Sequence, residues 1–203
     1  MNKEIEFDND FATKLIKAQF SLTDIKLNFF KTIYFYMINS KFRIYKRLDY
    51  FLKDQLVNPP KELIDIAQGL IGKDHDETII NILKYVDNLL IYEHDVGEEW
   101  STAVEILERK IDDCDGHNSL IFVLARLAGI PYWLIYSVIG DAGNGGHYYL
   151  LYWSTRYNKL VSIDATFYPS MVKVRDRPKF KQTKEKYGNM WFVFNDKIIF
   201  KPC

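Results

Sequence analysis

Ten consecutive residues, Ser119 to Ala128, carry a single charge, Arg126, and the chain must fold so as to surround them. Read as a helix, the run is apolar nearly all round, and a helix without a polar face belongs in a core. Gly129 supplies a stop, and Pro131 cannot continue the helix. Immediately before the run stands Asp112-Asp113-Cys114-Asp115-Gly116-His117-Asn118. Asp112 or Asp113 can cap the helix N-terminus. A lone thiol, Cys114, is thereby placed at the positive end of a buried helix, which favours the thiolate and fixes its geometry.

The rest of the chain can supply such a core. Of 203 residues, 48% are apolar, with fourteen Tyr and fourteen Phe, which excludes global disorder. Charge is balanced overall but unevenly spread. Residues 11–58 hold nine Lys/Arg against three Asp/Glu, residues 61–116 five against fifteen, and residues 171–203 nine against three. Basic arms packed on an acidic body account for this pattern; an anionic or protein partner for the arms is the sharper reading. Neither arm carries a nucleic-acid motif. Two cysteines, Cys114 and Cys203, make no disulfide framework and point to a reducing compartment. Met1 to Asp10 is acidic and polar, so no signal peptide is expected. No stretch approaches the roughly 20 apolar residues of a membrane span. The expected location is cytoplasmic, or within a virus particle or other large assembly.

Ser21 to Asp24 resembles a capping box, followed by Leu22, Ile25, Phe29 and Ile33 at helical spacing. A second helix is expected over Lys41 to Gln55. Asn58-Pro59-Pro60 is the clearest boundary. Beyond it, helices are expected from Pro60 to Gly72, from Glu77 to Leu90 and from Ala103 to Arg109, the last opened by a capping box, Thr102 to Glu105. Ile91 to Asp95 reads as an exit into a loop. After Pro131 the pattern turns to strands: Tyr132 to Ile139, His147 to Trp153 and Leu160 to Thr166, an antiparallel meander. A glycine loop spans 140–146. Residues 171–188 read as irregular, and Met190 to Phe200 as a hairpin around Asn195-Asp196.

A nucleophilic cysteine needs a base within hydrogen-bond reach, and the base needs an orienting group. His147 opens one strand and Asp164 lies on the next, where antiparallel pairing can set them side by side. The order is Cys on a helix, His on one strand, Asp on the following one, a triad arrangement. A zinc site from Cys114, His117 and His147 competes for the same residues, but no second cysteine pair or regular ligand spacing accompanies it.

These residues also carry a resemblance. Trp100-Ser101-Thr102-Ala103-Val104-Glu105, Asp113-Cys114-Asp115, Gly129-Ile130-Pro131, Gly146-His147-Tyr148 and Asp164-Ala165-Thr166 occur in the order found in the transglutaminase-like superfamily of cysteine enzymes. About residues 60–169 resemble it. Three positions depart from the usual pattern: Asp112 where Gly is usual, Tyr149 in place of Trp, and Asp-Ala-Thr in place of Asp-Pro-Thr. The resemblance implies Cys114 as nucleophile, His147 as base and Asp164 as third member, with no metal or organic cofactor.

The expected fold is therefore α+β: a papain-like, transglutaminase-like domain over 60–170, its Cys-bearing helix packed on an antiparallel sheet carrying His and Asp. An N-terminal helical extension (1–59) precedes it, and a basic segment with a C-terminal β-hairpin (171–203) follows. The expected function is cysteine-dependent acyl transfer at amide bonds of a protein or peptide, as hydrolysis or transamidation. The alternative is a structural or assembly protein that uses the fold as a docking module through basic aromatic arms, 21–58 and 171–203. The backbone N–H of Cys114 is one oxyanion donor, with Trp100 or Asn118 as side-chain candidates.

Overall fold

Why the apolar run can be buried is seen from the order of the elements. The computed structural model describes residues 25–26, 48–94, 100–143, 145–166, 172–183 and 186–202. In chain order these form β1 (Ile25–Lys26), α1 (Leu48–Val57), α2 (Lys61–Gly69), α3 (His75–Leu89), β2 (Ile91–Tyr92), α4 (Ala103–Arg109), β3 (Ile111–Asp112), α5 (Cys114–Leu127), β4 (Ile135–Ala142), β5 (Gly145–Ser154), β6 (Lys159–Ile163), β7 (Tyr187–Phe194) and β8 (Ile199–Pro202). Short 3-10 helices lie at Tyr132–Leu134, Val174–Asp176 and Phe180–Gln182. Most of the helix expected after Ser21, residues 41–47 of the next one, and Cys203 fall outside the described residues.

The fold is α+β. Strands β1-β8-β7-β4-β5-β6 form one sheet, antiparallel at every pairing, while β2 and β3 pair in parallel as a separate ribbon. Helix α5 lies between this sheet and the other helices, and Asp115 to Ala125 are all buried. Its apolar girdle meets α1 to α4 on one side and β4 and β5 on the other. Arg126, the lone charge, reaches out at the C-terminal end. Its Nε donates to Asp196 Oδ1 at 2.9 Å in the β7–β8 turn, and it also donates to the Ile130 carbonyl. Gly129 takes a positive φ of 88° and Ile130 N–H returns to the Ala125 carbonyl at 2.9 Å, so the glycine stop closes the helix as a left-handed cap.

Both faces of the sheet are covered. Along β5, Tyr148, Leu150 and Tyr152 face the core containing α5, while Tyr149 and Leu151 join a second core with Phe180 and Tyr187. The period-2 alternation is thus apolar on both sides, as expected for a doubly covered strand. The C-terminal segment supplies that second cover.

Several boundaries differ from expectation. The helix after Pro60 ends at Gly69, and Leu70 closes it through Ala67 and Gln68, short of Gly72. Asp74 caps the next helix by accepting from Glu77 N at 2.8 Å, so it starts at His75. Tyr132 to Leu134 make a 3-10 turn before the strand begins, because Pro131 sets the entry. The glycine-rich stretch contracts to a tight connection between Ala142 and Gly145, its flanks drawn into the ladder. Ile25 and Lys26 pair with Pro202 and Lys201; an open sheet edge, which recruits any chain that reaches it, overrides the helical spacing there. Ile91–Tyr92, expected as a loop, pairs with Ile111–Asp112.

Candidate active site

Strand β6 leaves β5 early. Their pairing begins only at Leu150↔Ile163, so β6 does not flank β5 from His147 to Tyr149. The N-terminal turn of α5 takes its place. Asn118 Nδ2 donates to the Tyr148 carbonyl at 2.8 Å and to the Cys114 carbonyl at 3.0 Å. Cys114 itself opens the helix, with Asp113 as N-cap accepting from Asp115 N at 2.9 Å. Cys114 is half-buried, and its carbonyl shares the Asn118 amide with the carbonyl of Tyr148, the residue that follows His147.

His147 and Asp164 are in direct contact. His147 Nε2 lies 2.8 Å from Asp164 Oδ2, and the two are 6% and 0% exposed. Asp164 sits just past the end of β6, where the chain turns through Ala165 and Thr166. That local turn feeds its other oxygen: Thr166 N–H and Oγ1 donate to Oδ1 at 2.9 and 2.8 Å. Tyr187, from β7, donates to Oδ2 at 2.9 Å. The His147 ring lies nearly parallel to Tyr149 at 6.0 Å and to Tyr187 at 6.4 Å between centroids, beside the stack those two tyrosines form with each other. Because a carboxylate only accepts, Nε2 of the neutral ring carries the proton, which leaves Nδ1 as the basic nitrogen.

No family model matches the sequence, and no curated protein matches it significantly. Among solved structures, EGTA-treated LapG of Legionella pneumophila superposes with a TM-score of 0.53, 16% identity, and coverage of 75% of this chain and 84% of that one. A second LapG structure from the same organism gives a TM-score of 0.53 and 16% identity over 75% of this chain and 86% of that one. The fold is transglutaminase-like. At such identities the likeness concerns the fold alone. A crystal structure of a TGase covers 90% of this chain and 53% of that one at 16% identity, but its TM-score of 0.41 adds no weight.

Within this transglutaminase-like fold the electrostatics are divided. Burial pushes the Cys114 thiol up, and the charges of Asp113, Asp115 and Asp164 push the same way, while a hydrogen bond from the Tyr148 backbone opposes them. These surroundings work against the thiolate. Burial also acts to raise Asp164, but the hydrogen bond and charge of His147, with the two Thr166 donors, outweigh it and hold the carboxyl below its ordinary range. Asp112 is raised, chiefly by burial. Its side chain packs against Gly116, where a methyl group would collide with it, so the acid at 112 and the glycine one helical turn on fit each other.

Carboxylate oxygens of Asp112, Asp113 and Asp115 all lie within 4.8 Å of one another, the one such group of potential metal ligands among the described residues. It is a hard oxygen set, suited to Ca²⁺ or Mg²⁺ and not to zinc. The zinc trio considered from sequence, Cys114, His117 and His147, does not come together as such a group among the described residues.

Several site neighbours were not legible beforehand. Tyr187 lies 23 positions from Asp164, in a segment read as irregular, and no local pattern marks it. Tyr92 is brought by the β2–β3 ribbon to within 5.9 Å of the His117 ring, centroid to centroid. Its phenol is pushed up to about 12, first by burial and then by Cys114, Asp113, Asp164 and Asp115. Trp100 packs edge-on between Phe51 and Tyr148, each at 5.4 Å. Asn118 is corrected as an oxyanion donor: its Nδ2 is spent on the carbonyls of Cys114, at 3.0 Å, and of Tyr148.

Proposed function

We propose that this chain is a thiol enzyme that cleaves or exchanges amide bonds, with Cys114 as nucleophile, His147 as general base and Asp164 as the group that orients and steadies the imidazole. The observation that carries the reading is the buried His147–Asp164 pair at 2.8 Å, tied to the first turn of α5 by Asn118, whose Nδ2 donates to the carbonyls of both Cys114 and Tyr148. His147 Nδ1 takes the thiol proton as sulfur bonds to the amide carbonyl carbon. The tetrahedral intermediate collapses with loss of the C–N bond, the imidazolium returns the proton to the leaving amine, and a thioester remains. Water or a second amine then attacks the thioester, His147 removes its proton, and sulfur leaves to be reprotonated. Hydrolysis of a peptide or isopeptide is the first choice, and transamidation differs only in the second acceptor. In this reading the Cys114 N–H at the start of α5 donates to the oxyanion.

Treatment with iodoacetamide at neutral pH, followed by mass spectrometry of the peptides carrying Cys114 and Cys203, tests this. Preferential labelling of Cys114 that is lost in His147→Ala is the expected result. Equal labelling, or none at Cys114, sinks it. That outcome would favour the second reading, a docking or assembly module, which the raised thiol and its three acidic neighbours support.

A further inference from the structure

We propose that Asn118 is a positioning residue that sets the spacing of Cys114, His147 and Asp164 through one carboxamide; the proposal rests on the thiol-enzyme reading above. Asn118 is fully buried, 0% exposed, in the second turn of α5. Its Nδ2 donates to the Cys114 carbonyl at 3.0 Å, inside its own helix, and to the Tyr148 carbonyl at 2.8 Å on β5. Its Oδ1 accepts from the Ala165 N–H at 3.3 Å in the turn after β6. The three partners are Cys114 itself, the residue after His147 and the residue after Asp164. They come from a helix, a strand and a turn, 30 and 47 positions from Asn118 for the latter two.

A planar amide is suited to this arrangement. Two hydrogens on one end meet two carbonyls, and the oxygen on the other end meets an N–H. Flipping the group would set oxygen against two carbonyls and NH₂ against a donor, so the contacts allow one orientation. Serine offers a single hydrogen and a shorter reach. Aspartate has the right shape but turns a buried charge toward two carbonyl oxygens. An apolar residue leaves three buried backbone groups short of this partner, each a costly loss. The carboxamide also stands where β6 has left the β5 edge, so it substitutes for ladder bonds at the place where the thiol must enter.

A purely structural asparagine would hold the fold and leave thiol chemistry alone. The test therefore measures the rate of Cys114 alkylation by iodoacetamide from pH 6 to 10, with the urea midpoint, in wild type, His147→Ala, Asn118→Ala, Asn118→Ser and Tyr152→Phe. Tyr152 donates to Asp76 Oδ1 at 2.8 Å at the far end of β5, and its variant controls for loss of a buried hydrogen bond on the same strand. The expected result is labelling slowed about 10- to 100-fold at pH 7 in Asn118→Ala. Its pH profile should collapse toward that of His147→Ala, and Asn118→Ser should fall between. Tyr152→Phe should label as wild type at a comparable urea midpoint. An Asn118→Ala protein that folds and keeps the wild-type profile overturns the proposal. So does failure of both Asn118 variants to fold while Tyr152→Phe folds, since the residue is then structural. If His147→Ala itself labels as fast as wild type, the thiol-enzyme reading fails, which is a distinguishable outcome.

Discussion

Tyr187 donates its phenolic hydrogen to Asp164 Oδ2 at 2.9 Å, the same oxygen that lies 2.8 Å from His147 Nε2. A tyrosine from the penultimate strand β7 is thus bonded to the carboxylate that orients the imidazole. The same tyrosine stacks on Tyr149 at 4.2 Å, which locks its ring on the sheet face away from α5. Strand β7 is thereby built into the back of the site.

Tyr187→Phe keeps the ring and removes one hydrogen bond to a buried carboxylate, so it should cost about 1.5–3 kcal/mol of stability. Cys114 labelling should slow, but less than in His147→Ala, because the base remains and only its support is loosened. Urea unfolding and alkylation rates check both effects. Unchanged stability would mean that the phenol is not bonded to Asp164 in solution.

Asp164 is held below the ordinary carboxylate range when folded. Its ionised form therefore contributes stability that is fully present above the unfolded value of about 3.9 and is lost as pH falls through the lower folded value. Asp164→Asn should be less stable than wild type at pH 7 and should show a shallower loss of stability below about pH 4. Urea midpoints from pH 2 to 7 test this. Parallel curves over the whole range would contradict it.

Asp115 is one of the charges that push the Cys114 thiol up. Asp115→Asn removes that charge without changing size, so the thiol should ionise at lower pH. Each unit of downward shift raises the thiolate fraction about tenfold at a pH below its pKa. Faster iodoacetamide labelling at pH 7 to 8 is the expected result. An unchanged rate would mean that proton transfer to His147, and not the field of the aspartates, governs reactivity.

Phe51 on α1 is buried and meets Trp100 edge-on, and Trp100 in turn meets Tyr148. Phe51→Ala should cost about 3–5 kcal/mol and lower the temperature of a single cooperative transition. A separate early transition for α1, seen by calorimetry, would show that this helix unfolds independently of the core.

Much of this was present in the residues alone. A ten-residue run with one charge has no stable place outside a core, so α5, its acidic start and its glycine stop were determined locally. The capping box at Thr102 and Glu105 defined α4 to the residue, since side-chain caps act within one turn. Strand alternation after Pro131 yielded the meander, although ends moved wherever a turn or a neighbouring edge intervened. Tertiary structure alone decided the rest. It brought Tyr187 to Asp164 across 23 positions and Tyr92 to the His117 ring through a parallel ribbon. It also gave Asn118 three partners that no spacing rule connects. Local sequence sets which backbone groups cap, turn or alternate, because those forces act over a few residues. Which distant polar groups share a hydrogen bond depends on where strands part from one another, and here the early departure of β6 from β5 opened the edge that α5 fills.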